Sequence, residues 1–428
     1  MELRAHLRRD ARLGRFLASP AFAQAFASST LFVLFLGHLI RATMGWSGYV
    51  GMLGVLTIIA VTVLVVRQHD LELRRSFPLA LAAFLFWSIL STIWSRSPDV
   101  ALPGVLFQLV VALLGAMVAM TRDMIQIVRA AGGVLRVALG LSLFVEILSG
   151  ILLDTPFRFL GVKGRLADGG PIQGVFGTRN LLALVCLLAI ATFGVEWVTQ
   201  SVDRRIAVVS LVLAGVLLVF SRSPSAVAVA LALAVAAIGL AIVRRVPESR
   251  RRLVQGALAI VAVLGVVLIA VFRAPLIDRL DAARDLNVRL QLWHSIQTMA
   301  RGDHLYHGWG WTGYWSHAVQ PYATIDLVDG TTNLNALNGF FDVQLQLGLV
   351  GLVLFVIALA ATIARCWLLA SNKRSLIWVW PTLVLAVLIV VSLAESAILV
   401  EFGWFLLVVC TVKSAQSVQV RRGSPIHV

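Results

Sequence analysis

Four arginines carry the first chemical clue. Arg165 lies in "KGRLADGG", Arg179 in "GVFGTRN", Arg222 in "FSRSPS" and Arg289 in "NVRLQLW". A guanidinium is planar, always charged, and offers paired donors that match phosphate oxygens. Each of the four stands at or near the mouth of an apolar run, where a cation costs free energy unless it snorkels or meets an anion. Any single one is explained by snorkelling or by an acidic neighbour. Four on one rim suit a diphosphate at the level of lipid headgroups, the group a polyprenyl-linked sugar presents.

A second set is the stripe Asn335, Asn338, Asp342 and Gln346 in "NLNALNGFFDVQLQLGLVG". Steps of three and four residues put it on one helix face. Asn335 or Asn338 suits a helix N-cap. A carboxylate and an amide deeper in an apolar helix face the protein interior or a wet cavity. His304, His307 and His317 lie just upstream, and any of them has the chemistry of a general base. They lack metal-ligand spacing. "GWGWTGYW", Gly308 to Trp315, is rich in rings that either form an interfacial belt or stack on sugars. It has no strand–helix context and is no dinucleotide fingerprint.

These residues need elements to hold them. About twelve apolar segments recur, near 22–42, 47–66, 77–94, 101–120, 132–152, 176–198, 206–220, 224–243, 254–272, 340–364, 376–393 and 397–413. Their length predicts an all-α polytopic membrane protein with about 12 transmembrane helices. With the N-terminus inside, the inside segments hold about 23 of the 36 Lys and Arg, which obeys the positive-inside rule and puts both termini in the cytoplasm. Five arginines precede the first apolar run, and no small-residue cleavage site follows it, so that run reads as a retained helix. The simplest organisation is a single integral domain over 1–428, with one large external loop near 273–339. That loop opens on a helix whose apolar positions are Leu276, Leu280, Ala283, Val288, Leu292 and Ile296, an amphipathic pattern for a membrane surface.

Composition sets limits. The chain of 428 residues is 59% hydrophobic and only 13% charged, which excludes an ordinary soluble domain. Its net charge of +15 sits in loops between apolar segments, so no nucleic-acid partner is expected. Cys186, Cys366 and Cys410 lie in or beside apolar segments and form neither a disulfide framework nor a metal site. No P-loop or acidic metal-binding pair marks the inside loops. A sugar-nucleotide donor is therefore not expected, and neither is a metal or another cofactor.

"GVFGTRNLLAL", "VFSRSPSAVAVALAL" and "NVRLQLWHSI…LYHGWGWTGYW…NALNGFFDVQLQLGLVGL" together resemble, in order, the bacterial O-antigen ligase and polymerase superfamily, closest to exopolysaccharide polymerases. The resemblance spans roughly the C-terminal 60% of the chain. It implies a GT-C-like fold and a metal-independent, inverting glycosyltransferase. The donor would be a glycan on undecaprenyl pyrophosphate, and the acceptor a glycan or lipid. The enzyme would work among membrane lipids on the outer face of the cytoplasmic (inner) membrane. Arg222 and Arg289 fall on the family's diphosphate-binding arginines, with Arg179 or Arg165 as a third. Where the family often writes H-x-H-N-G, this chain has "NALNG", with Asn335 and Leu337 at the histidine positions. The acceptor-activating role then passes to His307 or Asp342, or positioning by Asn335 and Asn338 and departure of the diphosphate suffice. That departure favours a polymerase over a ligase. A polysaccharide or lipid transporter is the reading from another class, against which stands the lack of two related halves.

Overall fold

The computed structural model describes residues 17, 19–66, 78–271, 283–329 and 333–423. Leu276 and Leu280 of the expected amphipathic helix and the arginine-rich N-terminal arm lie outside the described residues.

Among the described residues, regular structure is helical. The helices are α1 (Pro20–Phe35), α2 (Gly37–Val66), α3 (Leu79–Leu90), α4 (Pro98–Thr121), α5 (Met124–Ile147), α6 (Arg179–Thr199), α7 (Arg204–Ser221), α8 (Pro224–Arg245), α9 (Glu248–Val271), α10 (Ala283–Met299), α11 (Tyr322–Asp329), α12 (Gly339–Asn372), α13 (Val379–Val391) and α14 (Glu401–Gly423). Among the described residues, seven helices are long and apolar enough to cross a membrane: α2, α4, α5 with its π turn to Leu152, α6, α7, α8 and α12. α1, α3 and α13 are apolar but shorter. The chain is a polytopic membrane protein.

Local chemistry sets several ends. Ser19 accepts from the Phe22 amide ahead of Pro20, starting α1. Thr178 accepts from the Leu181 amide and starts α6. α2 breaks at Gly45, whose φ of 72° is left-handed, so residues on either side form two rods. α12 breaks in the same way at Gly348, with φ 68°.

The chain forms two compact units. The first comprises residues 1–85, 106–223 and 397–428. In it α6 packs on α7, and α5 packs on α1 and α6. The Arg136 guanidinium on α5 pairs with the buried Glu196 carboxylate on α6 and donates to Ser210 Oγ on α7 at 2.8 Å. An ion pair in such a place fixes helix register because neither charge tolerates isolation. The second unit comprises residues 86–105 and 224–396. There α8 packs on α13, and α12 packs on α10 and α13.

α10 is amphipathic, with a buried face rotated from the expected one. Arg289, Leu292 and Ile296 face inward, whereas Val288 and Leu290 are about half exposed. Leu292 and Ile296 join Trp315, Tyr322, Ile325, Ala336 and Leu345 in one core, so this helix is packed against protein.

Candidate active site

In the first unit the segment 154–178 is laid over the ends of α5 and α7. The buried Glu146 accepts from the Gln173 and Gly174 amides, both at 2.8 Å. Ser142 Oγ accepts from the Val175 amide at 3.2 Å. The His38 ring lies against Gly177, where a Cβ would come within 2.4 Å of it. These contacts deliver Arg179 as the first residue of α6.

Arg222 closes α7 in a left-handed conformation, with φ 45°. The segment meets it there. The Ile172 amide donates to Phe220 O at 3.1 Å, and Gly169 lies beside the Arg222 guanidinium. Gly170 in turn donates to Arg165 O at 2.8 Å, so Arg165 is one turn away. Ser223 Oγ donates to Asn180 Oδ1 at 2.8 Å, tying the residue after Arg222 to the residue after Arg179. Three of the four sequence-selected arginines are therefore gathered in one unit. Arg165 and Arg222 are exposed and Arg179 is half-buried. Among the described residues, none of these three guanidiniums has an ion-pair or hydrogen-bond partner.

Arg289 belongs to the second unit and is differently placed. It is 8% exposed. Its guanidinium donates to Leu337 O at 3.3 Å, to Ala394 O, and to Glu395 Oε1 at 3.1 Å. It fastens α10 to the "NALNG" turn and to the turn after α13. Asn338 is the N-cap of α12. Its Oδ1 accepts from the Phe340 and Phe341 amides, at 2.9 and 3.2 Å, and its Nδ2 donates to Leu393 O. Asn335 Oδ1 accepts from the Leu337 amide at 2.9 Å, steadying Leu337 at φ 48°.

Asp342 and Gln346 are enclosed, at 1% and 0% exposure. Asp342 Oδ1 accepts from Trp315 Nε1 and from Gln346 Nε2, both at 2.8 Å. Gln346 Oε1 accepts from the Thr312 and Gly313 amides at 2.7 and 3.0 Å, and its Nε2 donates to Gly313 O at 3.2 Å. The polar face of α12 thus binds the "GWGWTGYW" loop. Thr312 Oγ1 and the Tyr322 hydroxyl share a hydrogen bond of 2.8 Å, and burial pushes the Tyr322 phenol well above its ordinary pKa. Trp311 and Trp315 are buried.

The loop enters the helix more deeply than the sequence pattern indicates. The Trp309 and Gly310 amides donate to Leu345 O and Gln346 O, while the Leu349 and Val350 amides donate to Leu305 O and Tyr306 O. These bonds occupy backbone groups that the break at Gly348 leaves without helical partners. Gly308 permits the approach: its φ is 69°, and a Cβ there would lie 2.5 Å from Gln346 O. The signal was present as glycines at 308, 310 and 348 within otherwise bulky sequence.

His307 and His304 sit on the half-exposed side of the loop, each with Nδ1 on Gly308 O, at 3.0 and 3.3 Å. Among the described residues no group of three metal-ligating side chains occurs.

Residues 209–356 match the family model for O-antigen ligases. Over this segment the chain is similar to the O-antigen ligase family. The match takes in Arg222, Arg289, the loop and the first half of α12; Arg165 and Arg179 precede it. The family is one of glycan-transferring enzymes of the ligase and polymerase type. No curated protein matches the chain.

Proposed function

We propose that the protein polymerises undecaprenyl-pyrophosphate-linked oligosaccharide repeat units on the outer face of the cytoplasmic membrane. The observation that carries this reading is the grouping of Arg165, Arg179 and Arg222 without counter-charges. Three fixed guanidiniums beside apolar helices suit the diphosphate of a lipid-linked sugar. The acceptor hydroxyl oxygen attacks the anomeric carbon as the bond from that carbon to the diphosphate oxygen breaks. The electron pair leaves on the diphosphate, where charge develops and fixed cations act most strongly. A single displacement inverts the anomeric centre. The cations that this step needs are the arginines themselves, so the reaction runs without a divalent metal.

His307, half-buried and with Nε2 unpartnered among the described residues, is the residue we assign to take the proton of the acceptor hydroxyl. Asp342, Asn338 and Asn335 hold backbone, and Arg289 positions the turn they form. The family description supports a second reading, in which the finished glycan passes to a different acceptor as in an O-antigen ligase. The size of the lipid-linked glycan separates the two. A deletion strain is expected to accumulate single repeat units on undecaprenyl pyrophosphate, and Arg222→Ala, present at normal level in the membrane, is expected not to restore a ladder. Long glycan accumulating on the lipid establishes the ligase instead. A normal ladder with Arg222→Ala removes the diphosphate assignment.

A further inference from the structure

We propose that the turn 304–309, together with Trp94 and Arg96, is a binding subsite for a pyranose ring of the acceptor glycan. All of these residues belong to the second unit. One carbonyl organises the turn. Gly308 O lies 3.3 Å from His304 Nδ1 and 3.0 Å from His307 Nδ1. A carbonyl oxygen only accepts, so both Nδ1 atoms carry a hydrogen. In the uncharged ring the lone pair then sits on Nε2 in each case. Among the described residues neither Nε2 has a partner. One backbone oxygen thus presets two acceptor nitrogens, on rings 5.7 Å apart and set edge to face.

Aromatic surface flanks the pair. His304 stacks on Trp309 at 3.7 Å, His307 meets Trp94 at 5.7 Å, and the Arg96 guanidinium stands 5.1 Å over the Trp309 ring. The indoles are fixed before any ligand arrives: Trp309 Nε1 donates to Met299 O and Trp94 Nε1 to His307 O, both at 3.0 Å. Ordering them on binding therefore costs little. Tyr306, at the apex, is 64% exposed although it lies between two histidines in a tightly bonded turn. Rigid ring faces, two hydroxyl acceptors and an exposed guanidinium donor form a set matched to a sugar. A pyranose offers an apolar C–H face for the rings and hydroxyl protons for the two nitrogens. An interfacial belt uses ring faces and N–H donors toward headgroups, and it has no use for two imidazole acceptors set in one tautomer by one carbonyl.

Naming the sugar as the acceptor rests on the transferase reading; sugar binding itself does not. The test uses the full chain in lipid nanodiscs. The probe is the repeat-unit oligosaccharide freed by mild acid from the lipid-linked pool of the deletion strain, and tryptophan fluorescence is read during titration. Saturable binding is expected. The His304→Ala, His307→Ala double variant is expected to weaken it about tenfold, as loss of two hydrogen bonds implies. Arg96→Gln, at an exposed position where folding is not at stake, is expected to weaken it about threefold. Arg222→Ala is expected to bind the oligosaccharide as well as the unaltered protein does. Absence of binding to the unaltered protein, or equal binding by the double variant and by Arg96→Gln, overturns the subsite. Such a failure leaves the transferase reading standing, because that reading is judged by the lipid-linked ladder with Arg222→Ala. Binding that is lost with Arg222→Ala as well also overturns the subsite, since the probe carries no diphosphate.

Discussion

Asp342 separates two kinds of polar residue in this protein. Its carboxylate is surrounded by Trp315 Nε1, Gln346 Nε2 and the Ala336 amide, and it is 1% exposed. An amide of the same shape keeps an oxygen acceptor at the Oδ1 position and gives up only the 3.4 Å bond from the Ala336 amide to Oδ2. Asp342→Asn is therefore expected to retain most of the proposed activity. Asp342→Leu leaves Trp315 Nε1 without an acceptor and takes one of the two acceptors of Gln346 Nε2, the orphaned indole N–H alone costing about 1–3 kcal/mol. It is expected to lower both the thermal midpoint and the activity. The ladder of lipid-linked glycan, read beside thermal unfolding, checks this. Abolition of activity by Asp342→Asn at an unchanged thermal midpoint would give the carboxylate a direct chemical role. Arg222, by contrast, has no such scaffold to lose. The arginines divide the same way, and only part of that division was legible in the sequence. Arg222 follows "FS" at the end of one apolar run and precedes "SPS" at the start of the next, so its place at a turn is a local fact. Arg289 is held by atoms 48, 105 and 106 residues away. Helical periodicity tells that a residue faces protein, and it is silent on what meets it there.

At the scale of elements, the feature that organises the second unit is the break in α12 and the loop that fills it. The stripe from Asn338 to Gln346 was legible because its spacing is helical. Its partner was not, since a loop of glycines and tryptophans has no period to follow. The same blindness affects α10, where Leu292 and Ile296 fit the expected face but Val288 does not, because the core it meets comes from α11 and α12. Two glycines with nearly equal backbone angles test the insertion. Gly302 has φ 65° with open space around a would-be Cβ, whereas Gly308 has φ 69° with Gln346 O and C at 2.5 Å. Gly302→Ala incurs left-handed strain alone, about 1 kcal/mol. Gly308→Ala adds a collision with backbone that cannot swing aside. Thermal unfolding in detergent is expected to show a small drop for Gly302→Ala and a clearly larger one for Gly308→Ala. Equal drops would mean that the loop does not sit in the break as tightly as drawn.

For the whole molecule, apolar run length was the most legible quantity, and among the described residues the expected segments fall largely on helix. Seven of those helices reach membrane-crossing length and hydropathy among the described residues. Among the others, α1, α3 and α13 are apolar but shorter. Orientation is a separate matter, argued from charge alone: Lys and Arg concentrate in alternate loops, and such loops stay in the cytoplasm. The proposed chemistry depends on it, because a lipid-linked glycan on the outer face reaches only residues exposed there. The native thiols make this measurable, since Cys186, Cys366 and Cys410 are all buried and give little background. Lys163, Tyr306 and Arg250 are exposed. Lys163→Cys and Tyr306→Cys are expected to react with a membrane-impermeant maleimide on intact spheroplasts. Arg250→Cys is expected to react only after the membrane is opened. The opposite pattern would put the arginine cluster and the histidine turn in the cytoplasm, and a donor displayed on the outer face could then meet neither.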